Sequence, residues 1–299
     1  MILGGAEIED TFAEAFGMRG TRLVVTADTA RWARVAAETA TGFATSVIAC
    51  GAEAGIERHL SPDETPDGRP GIAILIFAVN RDALQKAVRE RVGQCILTCP
   101  GTACYAGMTE EEQLPLGRAL RYFGDGFEAA KRVDGRRFWR IPVMDGEFLC
   151  EDTFGQLKAV GGGNFLLLGR DRASVLAAAE RAIAAMRELP GIIMPFPGGV
   201  VRSGSKIGSK YKGMVASTNQ AYCPTLKGAV ETALPPEVDS VLEIVIDGLT
   251  EGDVRRGMAA GIRAACTTAA GETGIVRVSA GNYGGKLGAF QFHLRKLLE

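Results

Sequence analysis

Apolar residues recur along this chain in two patterns that repeat. Leu23, Val24 and Val25 form an apolar run followed by Asp28, Thr29 and Ala30, and Leu166, Leu167 and Leu168 are followed by Asp171, Arg172 and Ala173. The two segments lie 143 residues apart (166 minus 23), and each reads as a strand, an Asp N-cap and a helix. Helical spacing then turns Trp32, Val35, Ala36 and Thr39 inward from the first helix, and Val175, Leu176, Ala179, Ile183 and Met186 from the second. A further strand is expected after each, over 46–50 and 192–201.

A second match lies at an offset of 170 (242 minus 72). Ile72, Ile74 and Ile76 align with Leu242, Ile244 and Ile246, and Leu84, Val88 and Val92 align with Val254, Met258 and Ile262. Asn80 and Thr250 fall at the two N-caps, and short strands are expected at 95–98 and 275–280. Each half therefore reads as β-α-β-β-α-β. The predicted class is α+β, built as duplicated ferredoxin-like lobes at 1–145 and 146–299, with residues 101–163 as an insertion. Within that insertion 137–143 and 147–150 alternate around Met144, Asp145 and Gly146, as in a β-hairpin. The growth in offset leaves 27 extra residues (170 minus 143) within 202–239, a connection long enough to be read as functional.

Composition narrows what such a fold does. With 34 Lys and Arg against 35 Asp and Glu, the net charge is −1, and the positive field needed for nonspecific nucleic-acid binding is missing. The longest apolar runs have about eight residues where a bilayer needs roughly 20, so no membrane span is expected. Glu7, Glu9 and Asp10 stand where a signal peptide would be basic, and the expected location is the cytoplasm. Seven cysteines, an odd number, suit reduced thiols better than a disulfide framework. Cys95, Cys99 and Cys104 lack a CxxC pair, and His59 and His293 lack ligand spacing, so no metal site is expected.

Glycine is abundant, with 39 residues concentrated in VGGGN, FPGGV, SGSKIGSK and SAGNYGGKLG. These clusters serve either as turns and close packing or as anion cradles, and none has the spacing of a P-loop. Cys223 in AYCPT reads as a small filler beside a Pro turn more readily than as a nucleophile. Glu243 is the most informative acid, because it interrupts the apolar strand VLEIVI where the matching position of the first half holds Ala73. It either faces water or, if shielded, has a raised pKa and acts as a general acid.

Twelve segments in order along the chain, among them EIEDTFAEAF, ATGFATSVI, ETPDGRPG, FGDGFE, GGNF, PFPGG, SKIGSK, ASTNQAYCPT, EIVIDGL and SAGNYGGKLG, resemble those of formylmethanofuran:tetrahydromethanopterin formyltransferases. The resemblance covers essentially the whole chain. It implies formyl transfer between a methanofuran-type amine and N5 of tetrahydromethanopterin, both coenzymes being substrates and no prosthetic group being bound. The EIVIDGL match carries the family's catalytic glutamate onto Glu243. Ser217, Thr218, Asn219 and Tyr222 become candidates to hold the formyl oxygen, and Lys206, Lys210 and Lys286 to meet anionic coenzyme tails; surface or turn roles remain open for each. The resemblance also implies a homotetramer and, in methylotrophic bacteria, formaldehyde oxidation as one subunit of a formyltransferase/hydrolase complex. The competing reading is a noncatalytic coenzyme-binding or scaffolding subunit of such a complex.

Overall fold

In the computed structural model, which describes residues 1–268, 271 and 273–299, the chain is α+β, and the elements that build the two halves follow in order. They are β1 (Ala6–Ile8), β2 (Phe12–Thr26), α1 (Ala30–Thr41), β3 (Glu53–Leu60), β4 (Gly71–Ala78), α2 (Arg81–Arg91) and β5 (Ala103–Ala106). The inserted strands are β6 (Ala129–Val133), β7 (Arg136–Val143) and β8 (Gly146–Glu151). The second half has β9 (Leu157–Gly169), α3 (Arg172–Arg187), β10 (Ile192–Ile193), β11 (Ser205–Ile207), β12 (Ala216–Thr218), β13 (Ser240–Gly248), α4 (Glu251–Cys266), β14 (Ile275–Ser279) and β15 (Phe290–His293).

The same pairing order appears twice. In the first half the order across the sheet is β5-β2-β4-β3, and in the second it is β14-β9-β13-β10, every neighbour antiparallel. The two halves meet where β2 pairs with β9, Gly20 opposite Leu157 through Phe16 opposite Gly161. Strand formation follows from apolar, β-branched runs such as GIAILIFA in β4, buried along its length. Two separate cores result, one under α1 and α2 and one under α3 and α4. Leu84, Val88 and Val92 fill the first as Val254, Met258 and Ile262 fill the second, as their spacing predicts.

Several local expectations are corrected. The cap of α1 is Thr29, whose Oγ accepts from the Trp32 N–H, because Asp28 is drawn to Arg69 at 2.9 Å. The buried face of α1 is accordingly Ala33, Ala36, Ala37 and Ala40, with Trp32, Val35 and Thr39 turned outward; on α3 Leu176 is likewise exposed. Val47–Cys50 is a short helix capped by Ser46, and the strand expected there begins at Glu53. Val92–Ile96 is a π-helical turn, and the strand follows at β5. Within 192–201 only Ile192–Ile193 forms a strand, with Val201 making an isolated bridge. Cys104 lies away from Cys95 and Cys99 in role: it is buried on β5, opposite Cys150 of β8.

The insertion contains the expected hairpin, β7 and β8, paired from Val143 opposite Gly146 to Phe138 opposite Glu151. It extends the sheet through a parallel pairing of β8 with β5. Within EIEDTFAEAF, Ile8, Ala13 and Ala15 are buried in the core of the second half, whereas Phe16 is exposed. No helix among the described residues is long and apolar enough to cross a membrane.

Candidate active site

Glu243 stands on β13 opposite Leu166 of β9, and its backbone exchanges hydrogen bonds with Val201 at 2.8 and 2.9 Å. Strand alternation sends Ile244 and Ile246 into the helix-side core, so Glu243 projects from the other face. There it opens on a cavity of about 60 Å³ lined by Leu166, Val201, Arg202, Ser203, Ser205, Asn219, Tyr222, Cys223 and Gly281, among others. Burial raises its pKa to about 7. The carboxyl is thus enclosed although the residue as a whole keeps some solvent contact.

The long 202–239 connection supplies most of that wall. Leu234 and Val238 pack with Leu166 and Leu168 into a small core of their own, and Tyr222 rests against it. The Tyr222 hydroxyl lies 3.4 Å from Ser279 Oγ. Asn219 begins the 3₁₀ turn Gln220–Tyr222, and its carbonyl accepts from Cys223 Sγ at 3.4 Å. Across the cavity, Gly281 is held by Asn164 through a 2.6 Å bond from its N–H and a 3.2 Å bond to its carbonyl.

The structure therefore brings Asn219 and Tyr222 to Glu243 and leaves the other expected residues outside the cavity wall. Ser217 and Thr218 belong to β12, which pairs with β11; Ser217 Oγ donates to the Gly208 carbonyl at 2.6 Å, and Thr218 Oγ lies 3.5 Å from Cys223 Sγ. Lys206 pairs with Ser217 in that two-stranded sheet, and Lys210 and Lys286 are exposed. Arg202, Ser203, Ser205 and Gly281 line the cavity without having been singled out. The motifs SKIGSK and SAGNYGGKLG bracket Ser205 and Gly281, but nothing in local spacing tells which of their residues turns inward.

Four residues further along β13, Asp247 is fully buried, and Gly162 donates to its Oδ1 at 3.0 Å. Its Oδ2 finds no donor among the described residues. Burial, and after it the neighbouring Glu53 carboxyl, push its pKa well above the usual carboxylate range. Two wider grooves lie elsewhere. One, of about 610 Å³, holds Arg118 and Arg136 paired to Asp152 and Glu151, and the other, of about 720 Å³, runs between the halves past Phe43 and Phe196. Neither contains Glu243, the acid whose proton is exchangeable near neutral pH.

Comparison with known proteins identifies the family. The family model for formylmethanofuran-tetrahydromethanopterin formyltransferase matches residues 1–143, and the model for the proximal lobe of the same family matches residues 146–297. A formylmethanofuran–tetrahydromethanopterin formyltransferase of Methylococcus capsulatus is 62% identical over 298 residues, covering all of both chains. Among solved structures, a chain of the formyltransferase/hydrolase complex from Methylorubrum extorquens, in complex with methylofuran, superposes with a TM-score of 0.97 at 59% identity, covering 100% of this chain and 99% of that one. The Methanosarcina barkeri formyltransferase superposes with a TM-score of 0.94 at 48% identity, over the whole of both chains. With both halves matched and end-to-end identity this high, the chain belongs to the formylmethanofuran–tetrahydromethanopterin formyltransferase family.

Proposed function

We propose that this chain is a cytoplasmic formyltransferase that moves a formyl group between a methanofuran-type amine and N5 of tetrahydromethanopterin, with Glu243 as its acid-base group. The observation that carries the reading is a largely buried carboxyl facing a small cavity of mixed polar and apolar lining, where burial raises its pKa to about 7. In the direction of the pterin, N5 attacks the formamide carbon, a C–N bond forms, and the carbonyl oxygen takes negative charge. Protonated Glu243 gives its proton to the furan amine as the second C–N bond breaks, and the resulting carboxylate takes the proton that N5 loses. The reverse direction retraces these steps.

The side chains of Asn219 and Tyr222 are placed to donate to the developing oxyanion, while Gly281, its N–H taken by Asn164, shapes the opposite wall. Ser217 and Thr218 act at one remove by holding the loop wall, and Lys206, Lys210 and Lys286 attract the anionic tails from outside the cavity. The coenzymes are substrates, and the steps above use the chain's own groups. We read the two halves, 1–145 and 146–299, as duplicated ferredoxin-like lobes; the repeated antiparallel order supports this.

The reading extends to assembly as a homotetramer and to partner subunits of a formyltransferase/hydrolase complex. It is supported by the Methylorubrum extorquens neighbour and by the exposed apolar side chains of the insertion, Tyr122, Phe123, Phe127 and Met144. Light scattering should give about four times 31.6 kDa, and a monomeric mass at micromolar concentration contradicts the tetramer. The deciding assay incubates the pure protein with the formyl-pterin and the furan amine. Transfer at catalytic rates is expected; folded protein that transfers nothing by itself while the complex does would favour the scaffolding reading.

A further inference from the structure

Glu14, on β2, has 1% of its surface exposed, yet its partners are all backbone N–H groups of one distant loop. Tyr283 and Gly285 donate to Oε2 at 2.7 and 2.9 Å, and Leu287 and Gly288 donate to Oε1, each at 2.5 Å. The Glu14 N–H in turn donates to the Gly281 carbonyl at 3.1 Å. A buried carboxylate is tolerated when its charge is hydrogen-bonded, and these donors outweigh burial and hold its pKa down. The loop depends on the carboxylate just as strongly, because 281–288 is neither strand nor helix.

Its shape fits that one side chain. Gly284 and Gly285 take φ of 75° and 71°, which turns the N–H groups of 283, 285, 287 and 288 around the anion. At Gly288 a Cβ would sit 2.4 Å from the Ala15 carbonyl oxygen, so the loop closes directly on β2. What the loop carries matters for the site already described. Gly281 lines the Glu243 cavity, and Tyr283 is near enough to Glu243 to feel its charge. The Tyr283 ring lies 6.1 Å from that of Phe16, and both are partly exposed, which presents an aromatic surface suited to a flat heterocycle.

We propose that Glu14 is a positioning residue for formyl transfer: it ties the 281–288 loop to β2 and so sets Gly281 and the Tyr283–Phe16 pair at the rim of the Glu243 cavity. The inference rests on the reading of Glu243 as the reacting centre. It assigns to Glu14 no contact with substrate.

Glu14→Gln removes the charge and turns an NH₂ toward two of the four donors. In the folded variant kcat/KM should fall by about tenfold or more, with KM for one coenzyme rising. Tyr283→Ala should lose activity as well, and the double variant should lose less than the product of the single losses, because the loop holding Tyr283 has already moved. A merely structural Glu14 predicts lower thermal stability with kcat and KM of the folded protein unchanged; that result, or losses that simply multiply, overturns the proposal. Should Glu14→Gln fail to fold, hydrogen exchange on the wild type decides: the amides of 283, 285, 287 and 288 must be protected at least about 100-fold, and free exchange overturns the proposal. If Glu243→Gln proves fully active, the reading of the site fails while the exchange result on Glu14 stands.

Discussion

A carboxyl that titrates near 7 can give a proton in one step and take one back in the next, which is the role proposed for Glu243. Glu243→Gln keeps size and hydrogen bonding but cannot transfer a proton. It is expected to keep the fold and lose roughly 10²-fold or more in kcat, with KM for the pterin unchanged. A kcat within about threefold of wild type, with Glu243→Ala inactive, would show that hydrogen bonding rather than proton transfer is its role. Because the folded pKa lies above the unfolded value of 4.5, stability is fully present below about 4.5 and is lost as pH rises through about 7. At about 1.4 kcal/mol per unit, discounted for the solvent that still reaches the residue, Glu243→Gln should be about 2 kcal/mol more stable than wild type at pH 8 and equal to it near pH 4. Urea titrations at the two pH values check this. Asp247 follows the same sign. Asp247→Asn keeps the acceptor for Gly162 and removes a carboxyl that burial disfavours as a charge, so it should stay within about 1 kcal/mol of wild type at pH 7. A loss of several kcal/mol would mean that the native acid is ionised.

At the scale of elements, the helix caps show where local signals suffice and where they mislead. Thr250 and Asp253 form a reciprocal capping box at the start of α4, as the residue types predict. Thr250→Ala should cost about 1 kcal/mol, read from the urea midpoint at constant m-value. Asp28 and Thr29 are both good caps side by side in the sequence, and Arg69, 41 residues away, decides between them by claiming Asp28. Moving the cap by one residue turns the helix by about 100°, and the expected face Trp32, Val35 and Thr39 gives way to Ala33, Ala37 and Ala40. Thr29→Ala should therefore destabilise α1 more than Asp28→Ala does, and the reverse order in circular dichroism melts would restore Asp28 as the cap.

At the scale of the molecule, the chain crosses between its halves before the first half is built. β1 and the start of β2 pack into the second core, β14 pairs with β1, and β15 pairs with residues 12–15. Glu57 of β3 adds a tie, accepting from Arg22 twice at 2.6 Å and from the Gly191 N–H at 2.7 Å. Residues 146–299 expressed alone should consequently lack cooperative unfolding, and co-expression with 1–145 should restore it. A sharp thermal transition in the isolated fragment would contradict that.

The α+β class, the repeated strand-helix units and the inserted hairpin were legible in the sequence by itself, because each is written in spacing over a few residues; Glu243 stands out there as a charge that breaks an apolar strand, and spacing leaves open whether it faces water. Resemblance named the family from the order of short motifs. The tertiary structure alone decided that Asn219, Tyr222 and Gly281 meet Glu243 while Ser217, Thr218, Lys206, Lys210 and Lys286 lie outside the cavity wall, and that Glu14 shapes a loop 269 residues later. The physical reason is range. Periodicity reports which face of an element is buried, whereas desolvation and the convergence of N–H groups on a carboxylate depend on atoms that are neighbours in space and far apart along the chain.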